Sequence, residues 1–524
     1  MADAFSPRPL IWPVQRKPKR THPTTDSVKT LTKQRKVLLA LTAAAALCLQ
    51  PVQAHAYSVM THEEVVDMAW LPHMVPLLKA RFPGLTDDQL REAHAFAYGG
   101  CVIQDIGYYP KGSKFFSDLT HYVRSGDFVL ALLNDATTPD ELAFALGALA
   151  HYTSDEIGHP FVNIVEAQEF PRLAKKFNNQ VTYEKSPTHH LRTEFGFDVV
   201  GVSRGKYAQE DYRNFIGFQV AKPLVERAFE ETYGLKLKDV IGNMDSSIGS
   251  CRWAVHTLIP KMTKVALLSY HDNIEHANPG VARDKFLFRM NRTEYQKSWG
   301  KDYKKPGIGS HILAAIIHIL PKVGPLKDLD LKLPNGDQQT LYIQSVNETV
   351  DKLNRRLDKM RAVATPAPMP TVAQSNGKDP DAGTVAAVAK DTQQAANNKG
   401  ETQGAGAITA SPNGYGLAAS DVAQPVGDVP LNLTSVDLDT GKATAPGEYG
   451  LADATYADLL KKVADTPPTP DTPAVRNDLL LYFGTDHDAQ NTLSSKTKDW
   501  KKVQASLVKL KAAPTAANAP ATGD

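Results

Sequence analysis

Two histidines and an aspartate follow a long apolar run at helical spacing. His151, Asp155 and His159 are each four residues apart, and the preceding residues 142–150 are almost entirely apolar. At about 100° per residue these three side chains share one face of a helix, and a helix that is apolar all round is buried. Burying two imidazoles and a carboxylate is costly unless something compensates their polarity, so the pattern favours a zinc site. A hydrogen-bonded polar cluster is the alternative. Pro160 predicts that the helix ends just after His159.

A second pair further along the chain has the same spacing. His190 and Glu194 follow Ser186-Pro187, which is typical of an N-cap and the first residue of a helix. His189 lacks such a partner, because Thr193 lies four residues after it. An isolated His-x3-Glu pair is usually an exposed hydrogen-bonded pair. The neighbouring triad is what makes this pair informative.

The first 56 residues have the pattern of a secretory leader. Basic residues precede the apolar run 37–49, and Ala54-His-Ala56 matches an A-x-A cleavage site. The run is short for a bilayer, so a retained anchor is the less favoured alternative. Residues 1–56 carry nine basic and two acidic residues, and their removal changes the net charge from +2 to −5. We therefore expect a secreted or periplasmic protein with no general attraction to nucleic acid.

Four more residues are candidates because of their neighbours. Cleavage after residue 56 would make Tyr57 the new N-terminus, and an α-amino group with a near-neutral pKa can bind zinc. His62 is predicted in the first turn of a helix that begins with a capping box at Thr61. Asp105 lies in an apolar, aromatic loop, and His121 is predicted near the N-terminus of another helix. Each of these alone would be an ordinary capping or surface residue.

The elements that carry the candidates are predicted to be helices throughout. Capping patterns at Thr86 and Thr138 begin two of them, and no run of alternating strands occurs. Residues 363–430 are rich in Ala, Pro, Gly, Gln, Asn and Thr, as in a flexible linker. The prediction is an all-α protein, with a multi-helix zinc domain and a small helical C-terminal module after the linker. Its divisions are 1–56 leader and signal peptide, 57–300 zinc domain, 301–362 helical extension, 363–430 linker, 431–511 C-terminal module and 512–524 disordered tail.

Two features of this organisation have more than one interpretation. The apolar segment 312–320 is predicted to be a packed helix, and an interfacial helix that docks on lipid would have a similar sequence. Cys101 and Cys251, the cysteines that follow the leader, are either a disulfide or two buried thiols. The stretch 341–360 has helical character and is predicted to pack with the C-terminal module.

In their order and spacing, these candidates resemble the zinc-dependent phospholipase C family, whose site is shared in altered form by S1/P1-type nucleases. The resemblance covers roughly residues 57–300 and implies an all-helical fold with three zinc ions per chain in a cleft. It further implies the following ligands: the Tyr57 amine and carbonyl with His62 for one zinc, His121 and His151 for a second, Asp155 as a bridge between these two, His159, His190 and Glu194 for the third, and Asp105 as a zinc ligand or the general base.

The sequence departs from the family pattern in its spacing and in its last pair. The Asp155-x3-His159 spacing is two residues shorter than in the best-known bacterial phospholipases C. It is similar to the shorter spacing in glycosylphosphatidylinositol-specific phospholipase D. The last pair is His-x3-Glu, whereas the nucleases typically have His-x3-Asp, and together with the acidic mature charge this favours lipid over nucleic acid.

The headgroup positions of the choline-selective members also differ. Where those members carry an acidic and two aromatic contacts, this chain has Met60, Ile106 and Asp118. Nearby aromatic residues are candidates for another cation-binding face, with core packing as the commoner alternative; these are Tyr108, Tyr109, Phe115 and Phe116.

The expected function is that of a secreted zinc phospholipase C acting on phospholipid at a membrane surface. It would release diacylglycerol and a phosphorylated headgroup through metal-activated water. The alternatives are a phospholipase D-like or nuclease-type phosphodiesterase, and a non-catalytic lipid-binding protein braced by zinc.

Overall fold

Helices form nearly all the regular structure in a computed structural model of the chain. The structure describes residues 59–203, 218–254, 333–364, 429–466, 472–484, 493–494, 497 and 499–512. The predicted leader, Tyr57, the segment 312–320 and most of the linker lie outside these residues. Within them the predicted all-α class is confirmed.

The helices up to residue 169 build the region that carries most of the candidates. They are α1 (Val59–Ala69), α2 (Val75–Arg81), α3 (Asp87–Cys101), α4 (Lys114–Tyr122), α5 (Ser125–Asp135) and α6 (Pro139–Glu169). A π-helical turn (Trp70–Met74) joins α1 to α2, and a 3₁₀ helix (Gln104–Tyr108) lies between α3 and α4.

Nine further helices and one small ribbon are described in the rest of the chain. They are α7 (Pro171–Lys176), α8 (Pro187–Ser203), α9 (Lys222–Tyr233), α10 (Leu237–Ile241), α11 (Met244–Trp253), α12 (Gly336–Ala364), α13 (Gly450–Asp465), α14 (Thr472–Phe483) and α15 (Trp500–Ala512). The strands β1 (Val436–Asp437) and β2 (Lys442–Ala443) pair antiparallel, with Val436 opposite Ala443. None of the helices in the described ranges is both long and apolar enough to cross a bilayer.

The predicted helix starts are mostly confirmed. The Thr86 hydroxyl accepts a hydrogen bond from the Gln89 amide in a capping box, and Thr138 caps α6 through the Glu141 amide. The structure begins α8 at Pro187, as expected from the Ser-Pro pair.

Three local predictions were wrong. Helix α1 begins at Val59, so Thr61 is not its N-cap, and the Thr61 hydroxyl instead hydrogen-bonds with that of Tyr342, 2.6 Å away. His121 lies in the last turn of α4, because Ser113 caps that helix eight residues earlier. Pro160 lies inside α6, which continues to Glu169. A proline removes one helical hydrogen bond, and the packing of α6 in the core outweighs that loss.

Helices α3 and α6 cross at very close range through small residues. Gly100 of α3 faces the carbonyl group of Phe144, and Gly147 of α6 faces that of Ala97, so closely that a β-carbon at either glycine would overlap the carbonyl oxygen. This crossing places the end of α3 directly beside the polar face of α6.

Helix α12 packs across α6 and also contacts α1 and α2. Glu156 of α6 forms salt bridges with two residues of α12, Lys352 at 2.7 Å and Arg356 at 3.0 Å. The helical character predicted for 341–360 is confirmed, but its main packing partners lie in the zinc-ligand region, because its apolar face meets the helices there.

The segment after the linker packs on the same helices. Tyr152 of α6 donates to the Thr434 carbonyl at 2.8 Å, and the Leu438 amide donates to the His121 carbonyl at 3.1 Å. Helix α13 contacts α4, α14 and α15. All described residues belong to one compact unit, while the proposed domain boundaries stay predictions.

Candidate metal centre

Helix α6 carries the triad from which the zinc prediction started. His151, Asp155 and His159 lie on one buried face of the helix, and none of the three side chains is exposed to solvent. The apolar residues before them are buried in the core, where α6 packs against α1, α3 and α5.

Asp155 lies between histidines that come from three helices. Its Oδ2 atom is 3.0 Å from Nε2 of His151 and 3.4 Å from Nε2 of His121, and its Oδ1 atom is 3.4 Å from Nε2 of His62. Asp105, on the 3₁₀ helix, brings Oδ1 within 3.3 Å of Nε2 of His121. The family resemblance implied that these five residues lie close together, and the structure brings them together.

The second group adjoins the first. His190 and Glu194 of α8 approach to 2.9 Å through Nε2 and Oε1. Together with His159 of α6, they offer ligand atoms within 4.8 Å of one another. Nε2 of His159 also lies 3.9 Å from Oδ1 of Asp155, so the two groups meet along a single face of α6.

Four of the histidines have an oxygen atom within 3.1 Å of Nδ1, by a hydrogen bond in three of them and by an ion-pair contact in His159. Such partners fix the tautomer and orientation of a metal-binding histidine. The pairs are His121 with the Ser117 carbonyl at 2.7 Å, His151 with the Cys101 carbonyl at 2.9 Å, His190 with Glu166 at 2.9 Å and His159 with Asp439 at 3.1 Å.

The arrangement of the ligand atoms is favourable with a bound cation and unfavourable without one. If both rings were neutral, with Nδ1 donating to a carbonyl group, the Nε2 lone pairs of His121 and His151 would face each other across 3.4 Å. Both carboxylate oxygens of Glu194 are buried without a hydrogen bond among the described residues. Buried polar atoms without hydrogen bonds are unfavourable, and zinc accepts both nitrogen and carboxylate ligands.

The electrostatics of the metal-free cluster agree with this interpretation. Burial lowers the pKa of His62 to about 4, so its ring is neutral at pH 7, as a metal ligand must be. Burial raises the pKa of Glu194 to about 8. Burial alone would lower the pKa of His121, but Asp105 and Asp155 raise it to about 10, so a proton occupies this region when no metal does.

The aromatic residues considered for headgroup binding are mostly core residues. Tyr108, Tyr109 and Phe116 are buried, and Phe116 stacks on Phe229 with ring centroids 5.5 Å apart. Phe115 is half-buried. These rings do not form an exposed cation-binding face.

The three residues at the choline-headgroup positions are also buried or hydrogen-bonded within the fold. Met60 and Ile106 are buried. Asp118 accepts hydrogen bonds from Lys114 at 2.5 Å and from the Tyr108 hydroxyl at 3.2 Å.

Two partners of the candidate ligands, Glu166 and Asp439, were missed by sequence reasoning. Glu166 lies seven residues after His159 on the same helix. The prediction that this helix ends at Pro160 hid that spacing. Asp439 is separated from His159 by much of the chain, and no local pattern connects them.

The structure also decides between the two interpretations of the cysteines. Cys101 and Cys251 are both buried free thiols.

Comparison with known proteins agrees with the predicted resemblance. Residues 61–242 match the family model described as zinc-dependent phospholipase C. The match includes every candidate ligand that the structure describes, confirms the resemblance, and supports the general zinc-phospholipase function and the use of zinc. The chain has no significant match among curated proteins or among solved structures.

Proposed function

We propose that this chain, whose residues 61–242 match the zinc-dependent phospholipase C family, is a secreted or periplasmic phospholipase C acting on phospholipid at a membrane surface. Water would attack phosphorus, and the glycerol oxygen would leave as an alcohol. The products would be diacylglycerol and a phosphorylated headgroup. The observation that carries this proposal is the pair of adjoining ligand groups that meet at Asp155. Nucleic acid is not an expected partner.

The cluster suits hydrolysis of an anionic ester. Zinc bound there would supply positive charge for the phosphoryl oxygens and lower the pKa of a bound water to about 7. Three zinc ions are proposed, held by Tyr57 with His62, by His121 with His151, and by His159 with His190 and Glu194, with Asp155 as the bridge. Tyr57 lies outside the described residues, so its part rests on the predicted cleavage after residue 56.

Asp105 is proposed as the residue that orients the attacking water or accepts its proton. Its carboxylate projects from the 3₁₀ helix into the first group of ligands, and Oδ1 has no hydrogen bond among the described residues. At 3% exposure it is also the most accessible of the eight candidate ligands that the structure describes. A general base must come within hydrogen-bond reach of the proton that it removes, and the position of Asp105 beside His121 supports this role.

A structural zinc cluster is the second candidate function, and burial is the observation that favours it. Seven of the eight described candidate ligands are at most 1% exposed. Closed zinc sites typically stabilise a fold, whereas catalytic sites keep a position open to water or substrate.

Phosphorus NMR of mixed phospholipid vesicles separates these functions. The protein, beginning at Tyr57, is incubated with vesicles in the presence and absence of a zinc chelator. We expect a water-soluble phosphomonoester whose formation stops with the chelator, and its chemical shift identifies the headgroup. Phosphatidic acid would instead indicate phospholipase D chemistry.

Unchanged phospholipid signals from a zinc-loaded protein would overturn the proposal. A parallel assay with single-stranded DNA would then distinguish a nuclease from a purely structural zinc cluster.

A further inference from the structure

We infer that Asp439 is a positioning residue for the zinc ligand His159, and that the turn carrying it completes the metal centre from outside the family-matched segment. The inference rests on the proposed zinc site but not on the substrate or the reaction. Asp439 lies almost two hundred residues beyond residue 242, where the family match ends. The match therefore gives no role to this residue.

The position of the Asp439 carboxylate is fixed on both sides. Its Oδ1 atom lies 3.1 Å from Nδ1 of His159. Its Oδ2 atom accepts hydrogen bonds from the hydroxyl groups of Tyr122, at 3.0 Å, and Tyr449. Both His159 and Asp439 are completely buried. A carboxylate held in this way keeps its Oδ1 atom in ion-pair contact with Nδ1 of His159.

The turn itself is anchored to the helices that carry ligands. The Leu438 amide donates to the carbonyl of His121, and Asn163 of α6 donates to the Asp439 carbonyl at 2.8 Å. Gly441, at φ +68°, packs against the carbonyl of Glu156, where a β-carbon would overlap. Pro160 has no amide proton to give that carbonyl, so the turn fits closely against the interrupted part of α6.

A carboxylate on Nδ1 has a defined effect on a zinc-binding histidine. It keeps the proton on Nδ1, presents Nε2 to the metal and makes the ring more basic. Loss of such a partner typically lowers metal affinity about 10- to 100-fold. Of the four histidines with an Nδ1 partner, His159 is the one whose partner comes from the segment after the linker.

Asp437 provides a matched control on the same turn. It is also a buried carboxylate, and its two oxygens accept from the Asp439 amide at 3.0 Å and the Thr440 hydroxyl at 2.7 Å. Its described contacts therefore stabilise the turn without reaching a histidine. Asp437→Asn tests whether any loss arises from a disturbed turn.

The test measures zinc stoichiometry and affinity in the full chain by chelator competition, together with the thermal unfolding of the metal-free form. His159→Gln first establishes how much zinc this histidine holds. We expect Asp439→Asn to weaken one zinc about 10- to 100-fold, while Asp437→Asn stays within a few-fold of the wild type. Tyr449→Phe removes one hydroxyl group from Asp439 and should weaken the same zinc by a smaller factor. This second variant keeps the test informative should Asp439→Asn fail to fold.

The outcomes separate the inference from its premise. If His159→Gln binds as much zinc as the wild type, the proposed centre is wrong. If His159→Gln loses zinc but folded Asp439→Asn binds it as tightly as the wild type, the role of Asp439 is wrong. Equal losses in Asp439→Asn and Asp437→Asn would also overturn that role and assign the effect to the turn as a whole.

Discussion

Nε2 of His121 and Nε2 of His151 lie 3.4 Å apart in the core, although the two rings belong to different helices. Each ring has its Nδ1 atom directed at a carbonyl oxygen. Close approach of two such nitrogen atoms is stable when a proton or a metal ion lies between or beside them. The cluster is therefore a part of the fold whose stability depends on what it binds.

Removal of zinc should lower the thermal stability of the whole protein. A ligand present at about a thousand times its Kd stabilises the folded state by about 4 kcal/mol, so we expect a chelator to lower Tm by roughly 10 °C. Calorimetry with and without the chelator measures this. Zinc should restore the Tm and magnesium should not, because magnesium prefers oxygen ligands. Equal Tm values for the two forms would mean that the cluster holds no metal.

Replacement of Asp105 by Asn should remove turnover while the fold is kept. If this carboxylate orients or deprotonates the attacking water, kcat/KM for phospholipid should fall by about 10² to 10⁴. Circular dichroism and zinc content report on the fold and the metal. The control is Asp127→Asn, a half-exposed carboxylate that pairs with Arg124 at 2.7 Å. An Asp105→Asn protein that turns over as fast as this control would contradict the assignment.

The crossing of α3 and α6 makes Gly147 a sensitive position. In Gly147→Ala the new methyl group meets the backbone carbonyl of Ala97. We expect a loss of about 1–3 kcal/mol in the free energy of unfolding and weaker zinc binding, since the end of α3 supplies the carbonyl that orients His151. Gly249 is an exposed helical glycine with open space around it, and Gly249→Ala should instead stabilise by roughly 0.5–1 kcal/mol.

Urea unfolding of the two glycine variants measures this difference. A neutral or stabilising effect of Gly147→Ala would show that α3 and α6 move apart with no loss in the free energy of unfolding.

Asp437 should make the stability of the protein depend on pH. Burial, with the nearby charge of Asp439, raises the pKa of Asp437 to about 8, whereas an unfolded aspartate has a pKa near 4. The folded state therefore holds an extra proton between these values, and its stability falls as the pH rises through that window. Asp437→Asn escapes this penalty, so its Tm should gain on the wild type as the pH rises from about 5 to about 8.

The measurement uses zinc-saturated protein at each pH, so that metal binding contributes equally to both proteins. Asp88→Asn, which removes an exposed carboxylate paired with Arg91, should follow the wild type. A constant difference between Asp437→Asn and the wild type at all pH values would contradict the raised pKa.

The sequence alone predicted the parts of the site in which all the residues belong to one helix. The spacing of His151, Asp155 and His159 within an apolar helix, and of His190 and Glu194 after a Ser-Pro start, depends only on helical periodicity. For this reason the structure places these side chains as the pattern predicted. The same local reasoning failed at Pro160, because tertiary packing of α6 offsets the loss of one backbone hydrogen bond.

Other parts of the site depend on contacts between distant segments. Ending α6 at Pro160 hid Glu166, although this residue lies on the same helical face as His159. The position of Asp439 depends on how a turn near the end of the chain docks on α6, and helical periodicity carries no information about such docking. The buried aromatic residues show the same limit, since Phe116 could be placed in the core or on a binding face only once its neighbour Phe229 was known.

The turn at Asp439 also has a consequence for the order in which the protein is made. A ribosome adds residues from the N-terminus, so all eight described candidate ligands, the last of them Glu194, emerge long before Asp439. A nascent or proteolysed chain that ends before residue 437 has those ligands but lacks the Asp439 carboxylate, which contacts Nδ1 of His159 and the Tyr122 hydroxyl. Synthesis of the last part of the chain is thus the step at which the candidate metal centre gains its contact with Asp439.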